Sequence, residues 1–253
     1  MKVLLKIAYL GTAYCGYQVQ PNGVTVQQRL GEAAKAVFGF DCDIVGCSRT
    51  DSGVHARGFQ ATVTKKGTDT LDTTVPVARI PRALNVNLPS DISVLEAVAV
   101  SDDFHARYSV VSKEYEYLIY NGAERDPFLG DRAWHIGKRF EDADIARMNE
   151  AARVFVGRHD FTALRDGDPD EKDPVREVFS ASVEKVGDMI SFRVRADGFL
   201  YHMVRIMTGA LVEVGRGKLT PTELAKYIEA RNRKACGATA PACGLYLDRV
   251  FYA

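Results

Sequence analysis

The residues Gly46 to Ala56 (GCSRTDSGVHA) form the densest run of polar side chains able to do chemistry. If Arg49 to Asp51 is extended, Arg49 and Asp51 project to one side and Thr50 to the other, because successive side chains of an extended chain alternate. A guanidinium beside Asp51 favours the charged carboxylate and keeps it ionised well below neutrality. An ionised aspartate is a nucleophile that needs no base to activate it. Gly53 permits a tight or left-handed turn and close approach of a ligand to the backbone. The same letters also have a plainer meaning: Asp-Ser-Gly is an ordinary turn sequence, and an Arg two residues from an Asp is usually a solvated pair.

Thiol and metal chemistry find less support. The five cysteines (Cys15, Cys42, Cys47, Cys236, Cys243) are odd in number and contain no C-x-x-C pair, which disfavours a disulfide framework and a structural zinc site. The five histidines show neither H-x-x-x-H nor H-x-x-H spacing, so no helix face offers two imidazoles to a metal.

The elements that must position the polar run can be read from periodicity. Lys2 to Leu10 is apolar and β-prone and ends at Gly11. Thr25 with Gln28 forms a capping box, and Val26, Leu30, Ala33, Ala34 and Val37 follow at helical spacing up to Gly39. Cys42 to Cys47 and Phe59 to Thr64 read as strands, with a short helix near Pro76 to Leu84 and a strand at Ile92 to Val100. The second half repeats this order less tidily. It has a strand at Tyr115 to Tyr120, a helix at Asp142 to Val156, and a hairpin of Arg176 to Val186 and Met189 to Ala196 joined by the Gly-first turn Gly187-Asp188. On the second hairpin strand Ile190, Phe192, Val194 and Ala196 face one way, and Ser191, Arg193 and Arg195 the other. Helices at Tyr201 to Val214 and Thr222 to Ala230 follow, the latter capped by Thr220, Pro221 and Glu223, and a strand at Leu245 to Phe251 closes the chain. Two successive β-α-β-β-α-β units predict an α+β fold in which two ferredoxin-like halves, residues 1–105 and 106–253, share a continuous, mostly antiparallel sheet. The periodicity breaks at Ser101 to Lys113, and the open sheet face offers a surface for RNA.

Composition sets the outer bounds. At 253 residues, 46% hydrophobic and 26% charged, the chain suits one large domain or two small ones. No apolar run approaches the roughly 20 residues that span a bilayer, and the start MKVLLKIAYLGTAY reads as a strand, so a cytoplasmic protein without a membrane partner is expected. With 33 basic and 33 acidic side chains the net charge is zero, and composition carries no nucleic-acid signal. A neutral chain can still carry a basic cleft opposite an acidic back. The acid-rich loop Asp166 to Asp173 (DGDPDEKD) shows some segregation of negative charge.

The string SRTDSGVHARGFQ resembles the signature of the TruA family of tRNA pseudouridine synthases, whose pattern is close to G-R-T-D-x-G-V-H-A. The resemblance runs the whole chain: IAYLGTAYCGYQVQPNGVTVQQRLGEA, FHARYSVVSKEYEYLIYN, DPVREV, GFLYHMVRIMTGALVEVGRGKLTP and APACGLYLDRV follow in order. One departure is Cys47-Ser48 before Arg49, where the family has a small residue, often Gly; both are small. The acidic loop near Asp168 resembles a local insertion.

The resemblance implies a pseudouridine synthase fold and isomerisation of uridine to pseudouridine at about positions 38, 39 and 40 of the tRNA anticodon stem-loop. It also implies a homodimer, with no cofactor and no metal. Asp51 matches the nucleophile; attack on the sugar, attack on the ring, or abstraction of a sugar proton all use an ionised aspartate. Tyr115, in the K-x-Y-x-Y block, matches the tyrosine that stacks on the uracil and could take the proton from carbon 5, although an alternating Tyr115 and Tyr117 pair is also ordinary core packing. A phenol with a reference pKa of about 10 is a poor base, so stacking is the safer role, and Tyr117 is expected to be structural. Arg205 matches the arginine that resembles an ion-pair partner of the aspartate; its plainer meaning is a snorkelling residue on an amphipathic helix. Leu245 corresponds to an apolar residue at the uracil pocket, and His202 and Arg107 join it among the substrate-binding residues. A uridine in a stem must be turned out of the stack, and Arg49 could fill the vacated space. Arg107, Arg132, Lys138 and Arg139 are candidates for phosphate contacts, or simply solvated charges. Two rivals remain: a non-catalytic RNA-binding module with aromatics on its sheet, and a hydrolase that releases free uracil.

Overall fold

A computed structural model of the chain describes residues 1–167 and 173–253; of the acid-rich loop, Asp168 to Lys172 lie outside the described residues. In chain order the strands are β1 (Lys2–Tyr9), β2 (Cys42–Gly46), β3 (His55–Lys65), β4 (Ile92–Val100), β5 (Val110–Tyr120), β6 (Trp134–His135), β7 (Gly157–Asp160), β8 (Val175–Val186), β9 (Met189–Ala196) and β10 (Leu245–Tyr252). The α-helices are α1 (Val26–Phe38), α2 (Ile80–Asn85), α3 (Asp142–Ala152), α4 (Met203–Gly215) and α5 (Pro221–Glu229). No helix among the described residues is long and apolar enough to cross a membrane.

The chain forms two compact units, Met1–Val111 with Tyr246–Ala253, and Ser112–Leu245. The division expected at 105/106 therefore moves to 111/112, and the C-terminal strand joins the first unit. The sequence marks Leu245 to Phe251 as a strand, but it does not say which distant strand β10 joins. That partner is β3, paired in parallel with Tyr246 opposite His55 and Leu247 opposite Ala56.

In the first unit β1 lies between β4 and β3, and β2 pairs with β3, all antiparallel, which is the ferredoxin-like order 4-1-3-2. Val3, Leu5 and Ile7 of β1 and Phe59, Ala61 and Val63 of β3 are buried with Leu30, Ala33 and Ala34 of α1. The Thr25 hydroxyl caps α1 by accepting from Gln28 N–H at 3.3 Å, and Gly39, at φ 79°, ends the helix in the left-handed region. Only half of the expected capping box forms, since the Gln28 amide donates to Glu32 at 2.9 Å.

In the second unit the strand order is β5-β9-β8-β7, antiparallel throughout, with β6 parallel on β5. Ile190, Phe192, Val194 and Ala196 are buried as expected, and on the other face Arg193 and Ser191 bond to Glu116 at 2.8 and 2.6 Å. Gly187, at φ 58°, starts the hairpin turn. The Thr220 and Glu223 capping box opens α5 as expected. Each unit is thus a mixed, mostly antiparallel layer of the predicted α+β class. The two-residue β6 and four-residue β7 are too short to carry a periodic signal.

Candidate active site

The loop from Gly46 to His55 is held from several directions by the segment that follows β1. Gly46 leaves no room for a side chain, since a Cβ there would lie 2.6 Å from the Tyr17 ring and 2.8 Å from Phe59. Those two rings stack with centroids 4.1 Å apart and fill the space under the loop. Next to Asp51, the Thr50 hydroxyl shares a buried hydrogen bond with the Tyr9 hydroxyl at 2.8 Å, and Tyr17 N–H donates to the Thr50 carbonyl at 3.2 Å. Gly16, at φ 78°, lets the chain lie flush there: a Cβ would sit 2.6 Å from the Thr50 carbonyl oxygen. Beyond Asp51, the Ser52 hydroxyl donates to Tyr14 O at 3.1 Å, and Val54 N–H donates to Asp51 O at 3.1 Å, closing a turn through Gly53 at φ 80°.

His55 secures the far end. It is fully buried, its Nδ1 accepts the Gly11 N–H at 2.9 Å, and its ring packs 4.7 Å from Tyr246. An Nδ1 that accepts from an amide carries no proton, so this contact assigns the ring proton to Nε2. Gly11 is equally constrained, with Val54 O only 1.9 Å from where a Cβ would stand. Arg57 then lies 4.2 Å over the Tyr246 ring and pairs with Asp248 at 3.1 Å.

The consequence is a definite orientation at the expected nucleophile. Thr50 is buried, Asp51 half-buried and Arg49 exposed, so the alternation expected of an extended Arg49–Asp51 segment holds. The expected guanidinium beside Asp51 is not supplied by Arg49: among the described residues the Arg49 side chain forms no ion pair. Its long side chain is exposed, where an ion pair would contribute little.

The other predicted residues divide between the units. Arg107 belongs with Asp51 to the first unit; it is exposed, 5.9 Å from the centre of the Tyr108 ring. Tyr115, Arg205, His202 and Leu245 all belong to the second. Tyr115 is buried on β5, edge-on to Phe199 at 5.0 Å. Tyr117 is fully buried, donates its hydroxyl to Pro241 O at 2.7 Å, and has its phenol pushed well above the ordinary range by burial, as a structural residue should. Leu245 is buried after Gly244, where a Cβ would lie 2.5 Å from the Tyr117 ring. Arg205, in the first turn of α4, donates through Nε to Ala240 O at 2.7 Å. Arg132, Lys138 and Arg139 are exposed. A separate cavity of about 580 Å³ in the second unit, lined by Tyr120, Arg125, Leu129, Trp134, His135 and Cys243, involves none of the predicted catalytic residues. Among the described residues no group of three His, Cys, Asp or Glu side chains is placed to hold a metal ion.

Sequence reading missed the residues that hold the loop. His55 and Gly11 stand in the quoted motifs, but nothing local reveals that one accepts a hydrogen bond from the other 44 residues away. Asp166 stood out only as the first residue of the acid-rich loop, with nothing to mark its partners. Its partners are His202, Arg233 and Thr239, at separations of 36, 67 and 73 residues.

A family model described as tRNA pseudouridine synthase matches residues 6–109 and 151–253. A protein of Bacillus pumilus named tRNA pseudouridine synthase A is 45% identical over 258 residues, covering 100% of this chain and 99% of its own. One of the same name from Acetivibrio thermocellus is 43% identical over 251 residues, covering 99% of each. A third, from Moorella thermoacetica, is 44% identical over 250 residues and covers 98% of each.

Proposed function

Because the chain belongs to the TruA family of tRNA pseudouridine synthases, we propose that it isomerises uridine to pseudouridine in the tRNA anticodon stem-loop, at about positions 38, 39 and 40, with Asp51 as the nucleophile. The observation that carries this reading is the orientation of the Asp51 loop. Bonds to Thr50, Ser52 and His55 fix the backbone on both sides of the aspartate and turn Thr50 inward, so the Asp51 carboxylate lies on the opposite side of the segment from the buried Thr50, together with the exposed Arg49. A reacting group held this way does not have to be ordered when substrate arrives.

The reaction breaks the bond from uracil N1 to the ribose C1′ and forms one from C5 to the same carbon. N1 gains a proton and C5 loses one, so nothing is oxidised and no water is consumed. Asp51 supplies the negative oxygen for the first step, whether at the sugar, at the ring or on a sugar proton. Uracil can spread negative charge over its two carbonyls as it leaves, so a second carboxyl of the kind glycosidases use is not required. Tyr115 is assigned to stack on the base and to receive the C5 proton. Arg205 serves as the cation for the aspartate. Leu245 lines the apolar side of the base pocket, and His202 and Arg107 bind substrate. Arg49, exposed on the side of the segment that carries Asp51, holds the space of the displaced base. A homodimer in the cytoplasm, without cofactor or metal, completes the proposal; sedimentation at micromolar concentration reads the dimer directly.

Incubation of unmodified tRNA with the wild type and with Asp51→Asn, followed by carbodiimide-dependent reverse-transcription stops, tests the chemistry. The wild type should give stops at the anticodon arm and no free uracil, and Asp51→Asn should lose at least ~1,000-fold in rate while still retaining tRNA on a filter. Full-speed conversion by Asp51→Asn, or release of uracil by the wild type, refutes the assignment.

A further inference from the structure

We propose that Asp166 is a positioning residue that holds the first turn of α4, and with it Arg205, in its working arrangement. The proposal rests on the reading of Arg205 as a catalytic residue.

The geometry begins at His202, which caps α4 at φ 60° and ψ 4°. A non-glycine residue in the left-handed region is strained and persists only where its surroundings enforce it. His202 does not cap the helix with its side chain. Its Nδ1–H instead donates to Asp166 Oδ2 at 2.6 Å, and Asp166 N–H donates to the neighbouring Tyr201 O at 3.3 Å. Side chain and backbone of Asp166 therefore grip two consecutive residues at the helix entrance. A carboxylate there is also favoured by the positive end of the helix.

The same carboxylate holds a second segment. Arg233 Nε donates to its Oδ1 at 3.1 Å and the Thr239 hydroxyl to its Oδ2 at 3.1 Å, while Arg233 also donates to the Thr239 oxygen at 2.8 Å and to Gly237 O at 2.7 Å. One residue beyond Thr239, Ala240 makes two bonds with Arg205: Ala240 N–H donates to Arg205 O at 3.1 Å, and Arg205 Nε donates to Ala240 O at 2.7 Å. The segment lies so close to α4 that a Cβ on Gly209 would meet Ala238 O at 1.8 Å. The route through Thr239 leads to Ala240 and so to Arg205 itself, and the route through His202 ends on the first turn of the helix that carries Arg205. A guanidinium whose Nε is committed to Ala240 O has its plane set by where that carbonyl stands.

Single-turnover pseudouridine formation on unmodified tRNA is measured for the full chain carrying Asp166→Ala, Arg205→Ala and both together, with melting curves for each. Asp166→Ala should lose about 10- to 100-fold in rate, the size of effect a misplaced catalytic group has, with the KM for tRNA changing less than about 3-fold. In the Arg205→Ala background the same change should cost less than about 2-fold, because a residue that acts through Arg205 has nothing left to position. Thr239→Val, which leaves the carboxylate and its two basic partners in place, should show a smaller loss that Arg205→Ala likewise absorbs, and it carries the test if Asp166→Ala does not fold. Wild-type rates for Asp166→Ala and Thr239→Val, or losses that multiply with that of Arg205→Ala, overturn the positioning role alone. A wild-type rate for Arg205→Ala overturns the reading of Arg205 and the positioning role with it.

Discussion

At residue 50 the side chain turns inward to Tyr9, which leaves the next carboxylate on the other side of an extended segment, and small residues around the loop make that arrangement possible. Gly16 and Gly39 separate two effects that glycine substitutions usually mix. Both have φ near 80°, at 78° and 79°, but a Cβ on Gly39 meets nothing within 4 Å, while one on Gly16 meets Thr50 O at 2.6 Å. Gly39→Ala should therefore cost only the left-handed strain, about 1–2 kcal/mol, with the rate of pseudouridine formation unchanged. Gly16→Ala should pay that strain and also push the Asp51 loop, lowering the rate by about 10-fold or more. Urea midpoints and single-turnover rates on the pair settle it; equal rates would show that the loop tolerates the displacement. Under the loop, the Tyr17 hydroxyl is buried without a hydrogen-bond partner among the described residues. Removing an unsatisfied buried polar group should help, so Tyr17→Phe is expected to raise stability by about 1 kcal/mol with full activity. A loss of activity in Tyr17→Phe would assign that hydroxyl a role in the reaction.

The elements of the second unit depend on carboxylates whose partners come from distant segments, and acid should expose this. Burial pushes the Asp160 and Asp166 carboxyls up, but their hydrogen bonds and cations outweigh it and leave both below the ordinary range: Thr162 and Arg231 for Asp160, His202, Arg233 and Thr239 for Asp166. A carboxyl held below its unfolded value stabilises fully above that value, near pH 4, and the contribution disappears as pH falls through the folded one. The wild type should thus lose stability steeply below about pH 4. The double variant Asp160→Asn, Asp166→Asn should be less stable than wild type at pH 7, and the gap should narrow as pH falls below about 4, measured by urea midpoints. A gap that stays constant with pH would show that neither carboxyl matters through its charge. These contacts also mark where the sequence stops being informative. Periodicity located β1, β4, α1 and the β8–β9 hairpin to within a residue, because each buries one face of a regular element. The Gly46 to Ala56 run was legible as a polar cluster between strands, down to the side on which Thr50 lies. What holds it was not: the Gly11–His55 bond, the Tyr9–Thr50 bond and the Asp166 cluster join residues 36 to 73 apart, and no local pattern encodes such a pairing.

For the whole molecule the decisive fact is that the chain's end returns to its beginning. Tyr246 and Leu247 of β10 are buried in the first unit beside His55 and Ala56 of β3, and a Cβ on Gly58 would meet Asp248 O at 2.4 Å. Farther along, the Tyr252 hydroxyl donates to Ala106 O at 2.8 Å and its ring packs 4.9 Å from Phe104. The net charge of zero, with 33 side chains of each sign, makes broad repulsion between distant parts small, so short-range contacts decide how firmly this end is held. Burying two large side chains contributes about 1.5–3 kcal/mol each, so a chain that stops at Leu245 should lose about 3–6 kcal/mol from the first unit. The β8–β9 hairpin, paired within the second unit, should be affected much less. Native-state hydrogen exchange resolves the two: amides of β1 and β3 should open at much lower free energy in the shortened chain, and those of β8 and β9 should keep their protection. An equal loss across both sets would mean that the two units unfold as one cooperative body. Because His55 closes the Asp51 loop and packs on Tyr246, the shortened chain should also be inactive even where its second unit remains folded.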